Sequence, residues 1–336
     1  MSETTSVRRR LRPRIAVLLA LCLALVGGVG GWLVLGRDTG EPCGGLLRNE
    51  RLLGAVAAAG GDRPATCAEL GASITKATTG GEPGRHTVAQ AQAMKTVLNA
   101  IPSKDGRIRL DPELRRPLAS ALADYTADLY ITLHSLDATY IINAGAAKPP
   151  WEDAEGVHMS VSYNVLLEVL VAVGEDPEAY ADIRRAAARH AAEDMVAIST
   201  EGSSDSVGSD SRYIGAYRGA RVLGSLNAVT ASVEERLGGE KSPSWRAKAA
   251  EALLAAPAGG PSGSEGGARI TSAWTNGLRD AAPAARADYV RDQPVEMVRI
   301  WAAERGLAEA SRQSLWAETE RDMTSGERSA AKSLAH

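Results

Sequence analysis

Ser73 and Lys76 stand three residues apart in the string Ser73-Ile-Thr-Lys76. On adjacent turns of a helix such a pair could supply an acyl-transfer nucleophile and its base, the arrangement used by penicillin-binding enzymes. A second string of the same kind, Ser329-Ala-Ala-Lys332, lies near the end of the chain. The S-D-N and K-T-G partners of that chemistry are absent, and Ser is abundant enough here for the string to arise by composition. Two further pairs, Glu155 with His158 and His190 with Glu193, each set an imidazole and a carboxylate three residues apart. Helical carboxylate bundles hold metals with such pairs. The first lies in "PPWEDAEGVH", which reads as a loop after two prolines, and the second runs in the reverse order. The H-E-x-x-H, Walker and G-x-S-x-G signatures do not occur, so no cofactor is expected. Asp124 and Asp128, one turn apart beside a leucine stripe, read as solvated acids flanking a buried face.

Cysteine chemistry is better placed. Cys22 lies in an apolar run, which leaves Cys43 and Cys67 as an even pair. If that part of the chain faces an oxidising compartment, the pair is expected to form a structural disulfide. Its compartment follows from the run itself. Residues 15–35 carry no charge over 21 positions; as a helix they would span roughly 31 Å, the thickness of a bilayer's hydrocarbon core. The run is too long for a signal peptide's apolar core and closes on Trp32-Leu33-Val34-Leu35 rather than on a small-residue cleavage site. It is therefore expected to be an uncleaved transmembrane anchor. Arg8, Arg9, Arg10, Arg12 and Arg14 precede it, against a single acid, Glu3. The basic tail of residues 1–14 is thus expected to stay cytoplasmic, with the rest outside. Ala16, Ala20, Ala24 and Gly28 recur every fourth residue, and Gly27 and Gly31 form a G-x-x-x-G pair beside them. A stripe of this kind lets two anchors pack closely, and a homodimer through it is the expectation it raises. Cell-membrane localisation makes the bilayer the first expected partner.

Beyond residue 37 the chain keeps 32 of its 38 Lys and Arg and 40 of its 41 Asp and Glu, a formal charge of −8. That balance excludes DNA, RNA and anionic lipid headgroups as main ligands. The juxtamembrane stretch 36–80 holds the cysteine pair. A helical domain is expected over 81–256. Asp111-Pro112-Glu113 and Asp176-Pro177-Glu178 are strong helix starts: a capping carboxylate, proline in the first turn and an acid behind it. Leu114, Leu118, Leu122, Tyr125, Leu129, Leu133 and Leu136 then predict one long helix with a single apolar face. A polar loop at 199–211, a flexible Gly/Ser/Pro linker at 257–268, helices over 269–322 and a frayed tail at 323–336 complete the reading. With strand alternation confined to 157–161, the fold class is all-α, a helical bundle of one or two subdomains.

The basic tail, the apolar run, "PCGGLL" followed by "TC", and the Ala-rich "DPEAYADIRRAAARHAA" together resemble single-pass, membrane-anchored, Ala-rich helical proteins of high-GC Gram-positive bacteria. The likeness covers much of residues 1–200. Its motifs are structural, so it implies an anchor and a bridge and carries over no site residue. The sequence thus leads to a binding or scaffolding role in the cell envelope, with an unidentified envelope protein as partner. A cell-envelope hydrolase or acyl transferase using Ser73/Lys76, or a metal site near His158/His190, is the alternative.

Overall fold

The computed structural model describes residues 42–101, 103–104, 107–198, 213–255 and 264–335. The expected tail and anchor, with the stripe of Ala16, Ala20, Ala24, Gly27, Gly28 and Gly31, lie outside these residues, as does the polar loop. No described helix is long and apolar enough to cross a membrane.

The described residues are all-helical apart from two ladders of two residues per strand. A short helix α1 (Pro42–Leu46) leads to α2 (Glu50–Ala58), α3 (Cys67–Thr78) and α4 (Val88–Ala100). Strands β1 (Ser103–Lys104) and β2 (Arg107–Ile108) pair antiparallel. After them come α5 (Pro112–Asp124), α6 (Thr126–His134) and α7 (Ala138–Asn143). A second antiparallel ladder joins β3 (Trp151–Glu152) to β4 (Val157–His158). The body continues through α8 (Tyr163–Gly174), α9 (Pro177–Val196), α10 (Ile214–Leu237) and α11 (Ser242–Ala255). It closes with α12 (Glu265–Asp280), a 3-10 turn (Pro283–Ala285), α13 (Arg286–Arg291), α14 (Gln293–Glu304) and α15 (Glu309–Leu334).

Capping fixes the starts. Asp111 accepts from the Glu113 amide at 2.9 Å, and Asp176 accepts from both Glu178 and Ala179. Thr87 and Gln90 complete a reciprocal box at the head of α4. The leucine stripe is buried from Leu114 through Leu133, but the long helix it predicts is two helices that meet at Tyr125. Leu136, the stripe's last member, lies past the end of α6 and is 69 % exposed. One contiguous apolar cluster runs from Cys43 to Ala330 and includes α12, α14 and α15 with the earlier helices.

Two expectations at the C-terminal end are corrected. Residues 264–268, read as linker by composition, are the cap and first turn of α12: Ser264 accepts from the Gly267 amide. Their glycines serve close packing, since a Cβ on Gly267 would fall 2.2 Å from Glu193 Oε1. The frayed tail is likewise part of a helix, α15, which runs to Leu334. It lies along α10 at backbone contact: a Cβ on Gly224 would meet the Met323 carbonyl at 2.1 Å, and one on Gly326 the Arg221 carbonyl at 2.0 Å. Small residues rather than leucines hold this face, so hydrophobic periodicity does not reveal it.

At the other end, α1 packs on the core through Cys43 and Leu46, both buried. Cys43 and Cys67 are at disulfide distance, their Cα atoms 5.9 Å apart across a separation of 24 residues. A bridge closing a loop of that size stabilises by roughly 3 kcal/mol, by restricting the unfolded chain. It ties the first described turn to the head of α3.

Candidate functional site

The break at Tyr125 places Asp124 and Asp128 at the centre of a cleft rather than in solvent. Asp124, the last residue of α5, accepts from the Gly84 amide at 2.9 Å and pairs with His86 Nε2 at 2.9 Å. The His86 ring stacks on Tyr125, with centroids 3.6 Å apart and planes within 9°. Tyr125 in turn donates its hydroxyl to the Thr78 carbonyl at the end of α3. Burial holds the Tyr125 phenol well above its ordinary range, with Asp128 and Asp124 adding to the effect, so it stays protonated.

Asp128, in the first turn of α6, is buried and fully engaged. Its Oδ1 accepts from the Tyr140 hydroxyl at 2.6 Å and from His158 Nδ1 at 3.0 Å, while Oδ2 accepts from the Met159 amide at 3.0 Å. His158 gives its other nitrogen to Asp153 Oδ1, also at 3.0 Å. Trp151 lies across the hairpin from His158, 5.6 Å between centroids, and meets Tyr140 in a T-shaped contact at 4.9 Å. Glu155 contributes its backbone amide to Asp153 rather than its carboxylate to His158. The cleft measures about 510 Å³ and carries Glu152 and Glu155 on its lining.

The hydrogen bond to Asp128 is the largest influence on His158, whose pKa rises to about 9 against the opposing effect of burial. At neutral pH both ring nitrogens therefore carry protons and donate to carboxylates. A histidine in that state is a charged clamp, neither a general base nor a metal ligand. The folded pKa lies above the unfolded value of 6.5, so its stabilisation is complete below about pH 6.5 and is lost as pH rises through about 9. Expressed against His158→Gln at each pH, wild type should lose on the order of 2–3 kcal/mol of its advantage between pH 6.5 and pH 10. Urea denaturation at a series of pH values reads this directly; an advantage that does not change with pH would contradict it. The paired comparison is needed because burial lowers the Lys95 ammonium to about 8, and that group titrates in the opposite sense.

The remaining sequence candidates sit elsewhere. Ser73 is buried, and its hydroxyl donates to the Asp62 carbonyl. Lys76 pairs with the Asp62 carboxylate at 3.0 Å in an exposed bridge. The two residues staple one turn of α3 to the preceding loop and do not bond to each other. His190 faces the opposite side of α6 from His158: it lies edge-on to Tyr130, centroids 4.4 Å apart. Tyr130 and Asp128 are two positions apart on the helix, hence roughly 200° apart around it. Burial lowers the His190 pKa and keeps the ring neutral, while Glu193 closes the head of α12 by accepting from the Ser264 amide. The proposed metal pair is therefore divided between two sides of one helix. Among the described residues, the cluster with ligand spacing is Cys67, Asp111 and Glu113, and its sulfur is the one that faces Cys43.

Sequence spacing missed His86 and Tyr140 altogether, because their partners lie 38 and 12 residues away. The visible signal was the aromatic at position 125 between two acids in an otherwise leucine stripe. No protein-family model, no curated protein and no solved structure matches the chain.

Proposed function

We propose that this chain is a membrane-anchored, extracytoplasmic helical protein with a binding or scaffolding role in the cell envelope. Residues 15–35 are its single transmembrane helix, with the basic tail in the cytoplasm. The observation that carries the reading is the Cys43–Cys67 pair at disulfide distance, 5.9 Å between Cα atoms. Disulfides persist where the surroundings are oxidising, and the arginines before the apolar run orient the same segment outward. Its partners on this reading are the bilayer, an envelope protein and a second copy through the stripe from Ala16 to Gly31. Catalysis by Ser73/Lys76 finds no support in the geometry, since the serine's proton is engaged by a carbonyl and the lysine by a carboxylate. Of the apolar residues between Trp301 and Trp316, Trp301 and Leu315 are buried in the core, while Leu307 and Trp316 are half-buried.

Alkaline extraction and protease treatment of intact spheroplasts test the proposal on the full chain. The protein should stay in the membrane pellet, and external protease should degrade the body until only a small anchor fragment remains. Release into the supernatant, or protection of the body from protease until lysis, would contradict it.

A further inference from the structure

The cleft between the β3–β4 hairpin and the Gly84–His86 segment is short of positive charge. Five carboxylates line it: Asp124, Asp128, Glu152, Asp153 and Glu155. Against them stand one guanidinium, Arg85, and two imidazoles, His86 and His158. Even with both rings counted as charged, two negative charges are uncompensated. Arg85 is shared besides, since it pairs at 3.5 Å with Glu82, which lies off the lining. His158 is committed to Asp128 and Asp153. Glu152 and Glu155 are exposed, and among the described residues neither forms an ion pair.

A second feature of the cleft is independent of its acids. The His86 side chain lies on the lining and is only 4 % exposed. Its Nε2 faces the Asp124 carboxylate at 2.9 Å, and an ionised carboxylate only accepts, so that nitrogen carries a proton. Nδ1 of the neutral ring then holds a lone pair, and no donor among the described residues reaches it. The stack on Tyr125, with centroids 3.6 Å apart, fixes the ring in that orientation. An acceptor so deeply placed is costly to leave unpaired. The cleft measures about 510 Å³, within the size range of small-molecule sites. Ala127, Ala154 and Val157 add apolar surface to its lining.

We infer that this cleft binds a linear aliphatic diamine in its doubly charged form. One ammonium donates to His86 Nδ1 beside Asp124, the other meets Glu152 and Glu155, and the methylenes lie on the alanines and Val157. A bare divalent metal carries the same charge but fits less well. Among the described residues the side chains with metal-ligand spacing are Cys67, Asp111 and Glu113, which lie outside the cleft. The inference rests on the binding role proposed above but not on the anchor, so its failure would leave the protease and extraction results standing.

The test is isothermal titration at pH 7 of the full chain in zwitterionic lipid nanodiscs, with empty nanodiscs as the blank. The probes are 1,4-diaminobutane, n-butylamine, 1,4-butanediol and magnesium chloride. One-site binding of the diamine is expected, at least tenfold tighter than the monoamine, with no measurable heat from the diol or from magnesium. Glu152→Gln combined with Glu155→Gln should weaken diamine binding at least tenfold. Glu240→Gln combined with Glu320→Gln removes the same charge from exposed positions off the lining and should leave binding unchanged. His86→Phe, which keeps a ring on Tyr125 but removes Nδ1, should also weaken binding; should it fail to fold, the Glu152/Glu155 variant decides alone. Absence of diamine binding, equal affinity for diamine and monoamine, preferential magnesium binding, or an equal loss in the two double variants would each overturn the assignment.

Discussion

Asp128→Ala should lower stability by roughly 3–5 kcal/mol at pH 7, the range for removing one member of a buried charged pair. The carboxylate accepts from three donors at once, the Tyr140 hydroxyl, His158 Nδ1 and the Met159 amide, and all three lie in or beside segments packed on α6. Without it, a buried hydroxyl and amide lose their acceptor, and the imidazole loses the bond that holds it charged. His158 should then titrate nearer its ordinary value, so part of the loss appears as a changed pH dependence and not as a uniform offset. Asp128→Asn keeps the shape and an acceptor oxygen, and should cost less. A cycle combining Asp128→Ala with His158→Gln should show strong coupling, because either variant alone breaks the same pair. Urea denaturation followed by far-UV circular dichroism measures all four proteins. A loss under 1 kcal/mol for Asp128→Ala would show that the hairpin is held by its aromatic contacts instead.

Gly326→Val should be the most disruptive change in the C-terminal half, at about 3 kcal/mol or more. Overpacking a side-chain contact typically costs about 1–3 kcal/mol. Here the obstruction is the Arg221 carbonyl, 2.0 Å from where a Cβ would stand, and backbone cannot swing aside as a side chain can. The Ser225 hydroxyl, which bridges toward both Arg221 and Gly326 carbonyls, would be displaced in the same movement. Detachment of α15 should show as new proteolytic cleavage near Gly306, where α14 ends and the chain turns with φ of +63°. Gly224→Ala obstructs the reciprocal contact, and the double variant should cost less than the sum of the two. Gly54→Ala is the control: nothing lies within 4 Å of its Cβ position in α2, so that change should stabilise by about 0.5–1 kcal/mol. Cleavage of Gly326→Val no faster than wild type would contradict the contact.

These two sites also mark where sequence reading stops. Helix starts at Asp111 and Asp176 are legible because proline and capping carboxylates act within three residues of themselves. The stripes on α8 and α9 are legible because periodicity reports one face of one helix. What periodicity does not report is the partner of a polar atom. Arg184 sits beside Ile183 in α9, yet three of its four acceptors come from 43, 106 and 109 residues away. Asp124 and Asp128 read as surface acids because the break at Tyr125, which turns them into one cleft, has no glycine or proline to announce it. The glycines of α10 and α15 read as ordinary composition in a chain with 34 of them. Their role depends on a crossing between helices that the sequence does not order.

The central claim is that the helical body lies outside the membrane with Cys43 bridged to Cys67. It is tested most directly by labelling intact cells with a membrane-impermeant maleimide, before and after reduction, in wild type and in Cys43→Ser and Cys67→Ser. Wild type should label only after reduction, and Cys43→Ser should label without it through the half-buried Cys67 thiol, whereas Cys67→Ser should label more slowly because its remaining Cys43 is buried. Labelling that requires lysis in every case would place the body in the cytoplasm, and the bridge, the orientation and the envelope role would be refuted together.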